Sequence, residues 1–131
     1  MQKCWSVPAA VLALLAPVAA HAHHSFAAFF DPEKIITIKG TVTEFRFTNP
    51  HGTVALDVKG KDGKVVHWRA ETNAPVILVR RGWSRDIIKP GDTISVEGWV
   101  SRDGKPYLRL KQAFDASGKR IGNAPFGQGD H

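Results

Sequence analysis

The chain has 131 residues, of which 43% are hydrophobic and 23% charged, with a formal net charge of +6. That is chain for a single small hydrophobic core. One cysteine, Cys4, excludes an internal disulfide, and the mild basic excess favours anionic partners over cationic ones.

The N-terminus carries Lys3, then an uncharged stretch from Trp5 to Ala20 rich in Ala, Val and Leu, then Ala20-His21-Ala22. A basic start, an apolar middle and small residues in an A-x-A pattern are the parts of a cleavable secretory signal. The sequence therefore predicts a signal peptide over residues 1–22, a cut after Ala22 and a periplasmic or secreted location. The competing reading is an uncleaved membrane anchor. The apolar run falls short of the ~20 residues a spanning helix needs, and Pro8 and Pro17 interrupt it. No transmembrane segment is expected after cleavage. Cleavage would also remove Cys4, so the mature chain is expected to have no thiolate metal site and no cysteine nucleophile.

Residues 23–34 form a His-rich lead-in whose Phe26, Phe29 and Phe30 predict docking on the domain. A first strand is expected from Ile35 to Phe47. Ile36, Ile38 and Val42 share one phase, Phe45 and Phe47 the other, and Gly40 lies between, which is the pattern of a bent, bulged strand. Asn49-Pro50-His51-Gly52 then makes a turn. Val54, Leu56 and Val58 alternate as a second strand, Gly60 to Gly63 turns, and Val66, Trp68 and Ala70 alternate as a third. A short helix is expected next, with Asn73 as its cap, Pro75 in its first turn, Arg80 and Arg81 near its end and Gly82 as its stop. Ile94, Val96, Gly98 and Val100 make a fourth strand, and Leu108, Leu110, Gln112 and Phe114 a fifth. Residues 122–131, rich in Gly, Asn, Pro and Gln, are expected to be a flexible tail.

Three strands, a helix and two strands, with a long bent first strand, is the plan of a five-stranded oligonucleotide/oligosaccharide-binding (OB-like) barrel, here over residues 35–121. An open β-sandwich is the alternative architecture.

Four groups of residues could carry chemistry. A cut after Ala22 would leave His23 with a free α-amine, followed by His24. An α-amine and an imidazole on one residue chelate a metal in a ring, and His51 on the Asn49-Pro50-His51-Gly52 turn could add a third nitrogen. A nitrogen-only set suits copper, and since the ligands must be deprotonated, affinity should fall with pH. The competing reading is that these histidines merely flank a processing site and a turn. The third group is His67, Arg69 and Glu71, which alternation places on one strand face opposite Trp68. That face is either solvated or binds an anion, and His67 is a further candidate ligand if it turns toward His51. The fourth is the aromatic and basic set Phe45, Arg46, Phe47, Trp83, Arg85, Trp99 and Tyr107. Its aromatics could stack bases, but core packing accounts for most of them, and export leaves no nucleic acid to expect.

The run Ala22-His23-His24-Ser25-Phe26, followed by Gly40-x-Val42 and Asn49-Pro50-His51, resembles a family of small exported bacterial proteins of unknown function. Trp68-Arg69-Ala70-Glu71, Arg81-Gly82-Trp83-Ser84 and Lys89-x-Gly91-Asp92 are similar to that family too, so the resemblance covers most of the chain beyond residue 22. It implies export and a β-barrel-like domain, and no activity.

The sequence contains no nucleophile elbow, no Gly-rich phosphate loop and no HExxH helix. The expected function is accordingly a non-enzymatic binding protein. Its ligand would be a copper ion on His23, His24 and His51. Alternatively, it would be a small anionic molecule or polymer on the face bearing His67, Arg69 and Trp99.

Overall fold

Alternating apolar and polar residues can bury one face of a strand only if another layer covers it, and here the sheet covers itself by curling. The computed structural model describes residues 26–130. The expected signal peptide over residues 1–22 lies outside the described residues, as do His23 and His24 of the lead-in and His131. In chain order the elements are α1 (Phe26–Phe29), β1 (Phe30–Arg46), β2 (Thr53–Lys59), β3 (Val65–Glu71), α2 (Pro75–Arg80), β4 (Thr93–Ser101) and β5 (Tyr107–Phe114). The protein is mainly β, with five strands and a short helix between β3 and β4, as the periodicity predicts. The strands hydrogen-bond in the closed order β1-β2-β3-β5-β4. All neighbouring pairs are antiparallel except β3 and β5, which run parallel.

The long first strand makes closure possible. From Ile35 to Thr41 it pairs with β4, and from Thr41 to Arg46 with β2. To serve both neighbours it must bend. Gly40 sits at the tightest point, where an added Cβ would lie 2.3 Å from the Asp57 carbonyl oxygen. A bulge between Val42 and Glu44 switches the phase. Ile38 and Val42 before it, and Phe45 after it, therefore all reach the core. β1 starts at Phe30, ahead of the expected Ile35, because Phe30 already bridges to Ser101 of β4.

The interior is filled by Val54 and Leu56 from β2, Ala70 from β3, Ile94 and Val96 from β4, Leu108, Leu110 and Ala113 from β5, and Leu78 from α2. At ~25 cal/mol per Å² this apolar burial is the main stabilising term. Helix α2 packs on the core through Leu78. It is not capped by Asn73, as its sequence predicts; the N-cap is Ala74, with no side-chain cap bond. The Asn73 amide is drawn away by the end of the chain, its Nδ2 donating to the Asp130 carbonyl at 2.6 Å. Gly82, at φ +79°, follows the helix and turns the chain as expected.

The stretch after Gly122 differs from its expected flexible character. It packs as a strap. Phe126 is 3% exposed and joins the core against Trp83, with ring centroids 6.1 Å apart. The Phe126 amide donates to the Lys111 carbonyl at 2.7 Å and the Asn123 amide to the Arg81 carbonyl at 2.8 Å. Arg81 donates to the Pro125 carbonyl and to the Asp130 carboxylate, both at 3.0 Å. One large apolar side chain plus a set of backbone bonds outweighs a loop-like composition. No described helix is long and apolar enough to cross a membrane.

Candidate functional site

The outer face of the barrel, where β3 and β5 run side by side, gathers the polar groups. Parallel pairing puts Arg69 in register with Tyr107 and Glu71 in register with Arg109. Alternation sends all four side chains outward, since Ala70 and Leu108 between them point into the core. The turn between β1 and β2 adds His51. Its Asn49–Pro50 peptide bond is cis. Gly52 then lets the chain pass close to β3: a Cβ there would sit 2.6 Å from both the Arg46 carbonyl and the Thr72 hydroxyl. The Gly52 amide donates to the Asn73 carbonyl and the Thr72 amide donates to the Gly52 carbonyl, at 3.2 and 2.8 Å. This backbone clasp holds His51 over the end of β3.

Glu71 is the centre of the group. Its Oε1 accepts from Arg109 Nη1 at 2.7 Å and lies 3.2 Å from His51 Nδ1. Its Oε2 accepts from the Tyr107 hydroxyl. Arg109 is a charged residue only 5% exposed, and each of its ends is satisfied. Nη1 also donates to the Thr72 carbonyl at 2.9 Å, and Nη2 donates to the Asp130 carbonyl at 3.2 Å. Burial pushes the Tyr107 hydroxyl well above the usual phenol range, and the neighbouring Glu71 carboxylate adds to the shift. Tyr107 therefore stays a protonated donor at any physiological pH.

The lead-in docks on the same face. Phe30 stacks on Tyr107, with centroids 5.6 Å apart. Phe26 lies 5.5 Å from Phe30 and meets Trp99 edge-on at 5.2 Å. Arg102 Nε donates to the Ala27 carbonyl at 2.7 Å, and the C-terminal strap touches the lead-in through Gln128 Nε2 and the Pro32 carbonyl at 3.2 Å. Aromatic pairs of this kind contribute roughly 0.5–1.5 kcal/mol each beyond the area they bury. Phe30 and Trp99 are buried without belonging to the barrel interior, so this is a second, smaller apolar cluster.

The candidate residues from the sequence divide accordingly. His51 belongs to the cluster. His23 and His24 lie outside the described residues. His67 shares the outer face but is not brought to His51. It sits four positions from Glu71 along β3, about 13 Å at the usual strand rise, and its Nδ1 is 2.6 Å from Asp57 Oδ1. Arg69 is exposed on that face. Trp99 is 4% exposed beneath Phe26, so its ring is covered where an anion-binding face would need it open. In the fourth group Phe45 packs on Phe47 and Trp83, and Arg85 lies over the Phe47 ring at 5.1 Å.

Arg109 and the Asp130 carbonyl were not legible as site residues, and Tyr107 was legible only as an aromatic that could stack bases, not as a partner of Glu71. Leu108-Arg109-Leu110 reads as ordinary alternation with a solvated Arg, whereas Glu71, the Thr72 carbonyl and the Asp130 carbonyl hold it in a buried place. An open groove of about 730 Å³ lies elsewhere, bordered by Ile87, Asp92, Asp115 and Arg120. Its acids serve turns: Asp92 accepts from the Lys89 amide at 2.8 Å, and Asp115 from the Ser117 hydroxyl and amide at 2.6 and 2.9 Å. The cluster around Glu71 has the richer chemistry.

A model of a protein family described as a family of unknown function (DUF6152) matches residues 11–108. No curated protein matches the chain. Among solved structures, the chain is similar to the mitochondrial single-stranded DNA binding protein Rim1 of S. cerevisiae, at 13% identity and a TM-score of 0.48, over 70% of this chain and 96% of that one. It is similar to the small single-stranded DNA-binding protein of Streptomyces coelicolor, at 16% identity and a TM-score of 0.42, over 65% and 93% of the two chains. It is also similar to the protein TiaS, solved in complex with a transfer RNA and ATP, at 17% identity and a TM-score of 0.47, over 66% of this chain and 19% of the much longer one.

Proposed function

The chain belongs to this family of unknown function, and from that premise we propose that it is an exported OB-like barrel that binds a copper ion through His23, His24 and His51 and acts in metal handling. The closed strand order with a helix between β3 and β4 fits the five-stranded OB plan. The fold is the scaffold; the ligands come from the lead-in and from the turn before β2.

The observation that carries the reading is the route from the lead-in to His51. Phe26 and Phe30 are held on Tyr107 and Trp99, Tyr107 donates to Glu71, and Glu71 contacts His51. His24 and His23 precede Phe26 by two and three residues, a reach of at most about 7 and 11 Å of chain. Phe26, to which they are joined through Ser25, is docked on the face that carries His51. After signal cleavage, the His23 amine and imidazole would close a chelate ring, and an imidazole from His51 would fix the ion to the barrel. Copper leads the divalent affinity order for such nitrogen ligands.

The test is titration of the mature protein with Cu(II), followed by EPR. A nitrogen-rich signal is expected that weakens in His51→Ala and in a chain with one alanine added before His23, which moves the amine. Undiminished binding in a His23→Ala/His51→Ala double variant would refute this site.

A further inference from the structure

The two edges of β3 are covered unequally. β2 pairs with the strand from Val65 to Glu71, whereas β5 pairs with its other edge only from Arg69 to Glu71. In an antiparallel ladder, successive residues turn their backbone groups alternately toward the partner strand and away from it. Two bonds set the phase here. The Gly60 amide donates to the Lys64 carbonyl at 2.8 Å, so Lys64, Val66 and Trp68 face β2. The Arg69 amide donates to the Pro106 carbonyl at 3.1 Å, so Arg69, and with it His67 and Val65, face away from β2. Ahead of Pro106 the chain leaves the line of β5 in a tight turn, with the Tyr107 amide donating to the Lys105 carbonyl at 2.7 Å. Among the described residues, no backbone hydrogen bond reaches Val65 or His67 on that open side. Val65, Val66 and His67 are all exposed.

The hairpin that carries this open edge is lopsided in charge. Lys59, Lys61, Lys64 and Arg69 are exposed, and none makes an ion pair among the described residues. Its two acids are engaged locally. Asp62 Oδ1 accepts from the Lys64 amide at 3.0 Å, and Asp57 Oδ1 lies 2.6 Å from His67 Nδ1. We infer that the β3 edge from Val65 to Trp68 is a docking site for an extended acidic segment of another protein, which adds to the sheet as a further strand. The N–H and C=O of Val65 and His67 bond the incoming backbone, and its carboxylates meet Lys61, Lys64 and Arg69. A peptide suits this edge better than a nucleic acid, which has no amide row to offer the open carbonyls. A second copy of this chain suits it less, too. Antiparallel pairing of two such edges about His67 sets Arg69 of each opposite Val65 of the other, beside its Lys64, and like charges so placed are destabilising. Edge lysines oppose self-pairing, and they attract a strand of the opposite sign. The surface uses none of the proposed copper ligands, so either reading can fail without the other.

The experiment is amide hydrogen exchange by NMR on the mature protein, alone and with a short synthetic peptide of alternating Glu and Val. In the free protein the Val65 and His67 amides are expected to exchange fast, while those of Val66 and Trp68, turned toward β2, are protected. Peptide at about ten times its Kd should slow Val65 and His67 about tenfold, and added salt should weaken the binding. Lys61→Glu/Lys64→Glu changes two exposed side chains and should lower the affinity about tenfold. His67→Pro removes an N–H that faces the open side and should lower it as well. Protection of Val65 and His67 in the free protein overturns the inference with no variant needed, and protection that grows with protein concentration assigns the edge to a second copy instead. Failure of the peptide to slow these two amides at about 1 mM, the weak end of such binding, overturns it too. So does equal binding of a peptide of alternating Lys and Val. Binding of an oligothymidylate at the hairpin without binding of the Glu–Val peptide assigns the charge to a nucleic acid and overturns the inference. If His67→Pro fails to fold, the charge-reversal variant decides, and undiminished binding there refutes the docking site.

Discussion

Arg109 and Glu71 sit in register on the parallel strands β5 and β3, and Arg109 Nη1 donates to Glu71 Oε1 at 2.7 Å while the arginine is 5% exposed. A guanidinium so deeply placed is stable only because Glu71, the Thr72 carbonyl and the Asp130 carbonyl meet its donors. Removing one member of such a pair leaves the other without compensation. Arg109→Ala is expected to lower stability by about 3 kcal/mol, at the lower end of the range for broken buried pairs because Glu71 is partly open to water. Urea unfolding at neutral pH measures it, and a loss below about 0.5 kcal/mol, the size of an ordinary surface substitution, would mean that the pair is not held as described.

Tyr107 is the chain's one tyrosine, so the tyrosinate absorbance reports on it alone. Burial first, and the Glu71 carboxylate second, raise its folded pKa above the ordinary 10.0. A raised folded pKa means that the native state holds the proton more tightly than the unfolded chain. The associated stability is present below the unfolded value and is lost as pH rises through the folded one. Little tyrosinate is therefore expected at about pH 10, where an unperturbed tyrosine is half ionised. Absorbance should grow only at higher pH, together with loss of near-UV dichroism. Half ionisation near pH 10 in a folded protein would contradict the buried Tyr107–Glu71 contact.

Phe126 anchors the strap by filling a gap beside Trp83. Phe126→Ala is expected to cost about 3 kcal/mol and to loosen the Asp130 carbonyl from Arg109 and Asn73. Hydrogen exchange offers the check. The Phe126 and Asn123 amides, bonded to the Lys111 and Arg81 carbonyls, should lose protection before the β4–β5 pairs do. Equal loss across the barrel would argue that the strap is not a separate layer.

Gly40 is required by the close approach of β1 to β2. Gly40→Ala would drive a Cβ to 2.3 Å from the Asp57 carbonyl oxygen, and that atom is backbone. The strand must shift, at an expected cost of about 1–3 kcal/mol by thermal or urea unfolding. Gly129→Ala, with nothing within 4 Å of the added atom, is the control and should change stability by less than about 0.5 kcal/mol. Equal effects at the two positions would count against the bend.

The sequence by itself determined the strands, their turns and the position of the helix. Period-two alternation and turn residues are local signals, and Val54, Leu56, Ile94, Val96, Leu108 and Leu110 all point inward as their alternation requires. It also singled out His51, because Asn-Pro-His-Gly is a turn by composition and a histidine on a turn invites a role. It could not determine what His51 meets. Glu71, Tyr107 and Arg109 lie far along the chain from that turn, and only the parallel pairing of β3 with β5 sets them beside it. The tertiary structure alone decided that Arg109 is buried, that Trp99 is covered by Phe26 and that residues 122–130 pack instead of fraying. Each of these depends on contacts between distant segments, whose free energy overrides local propensity. A short sequence window carries no record of them.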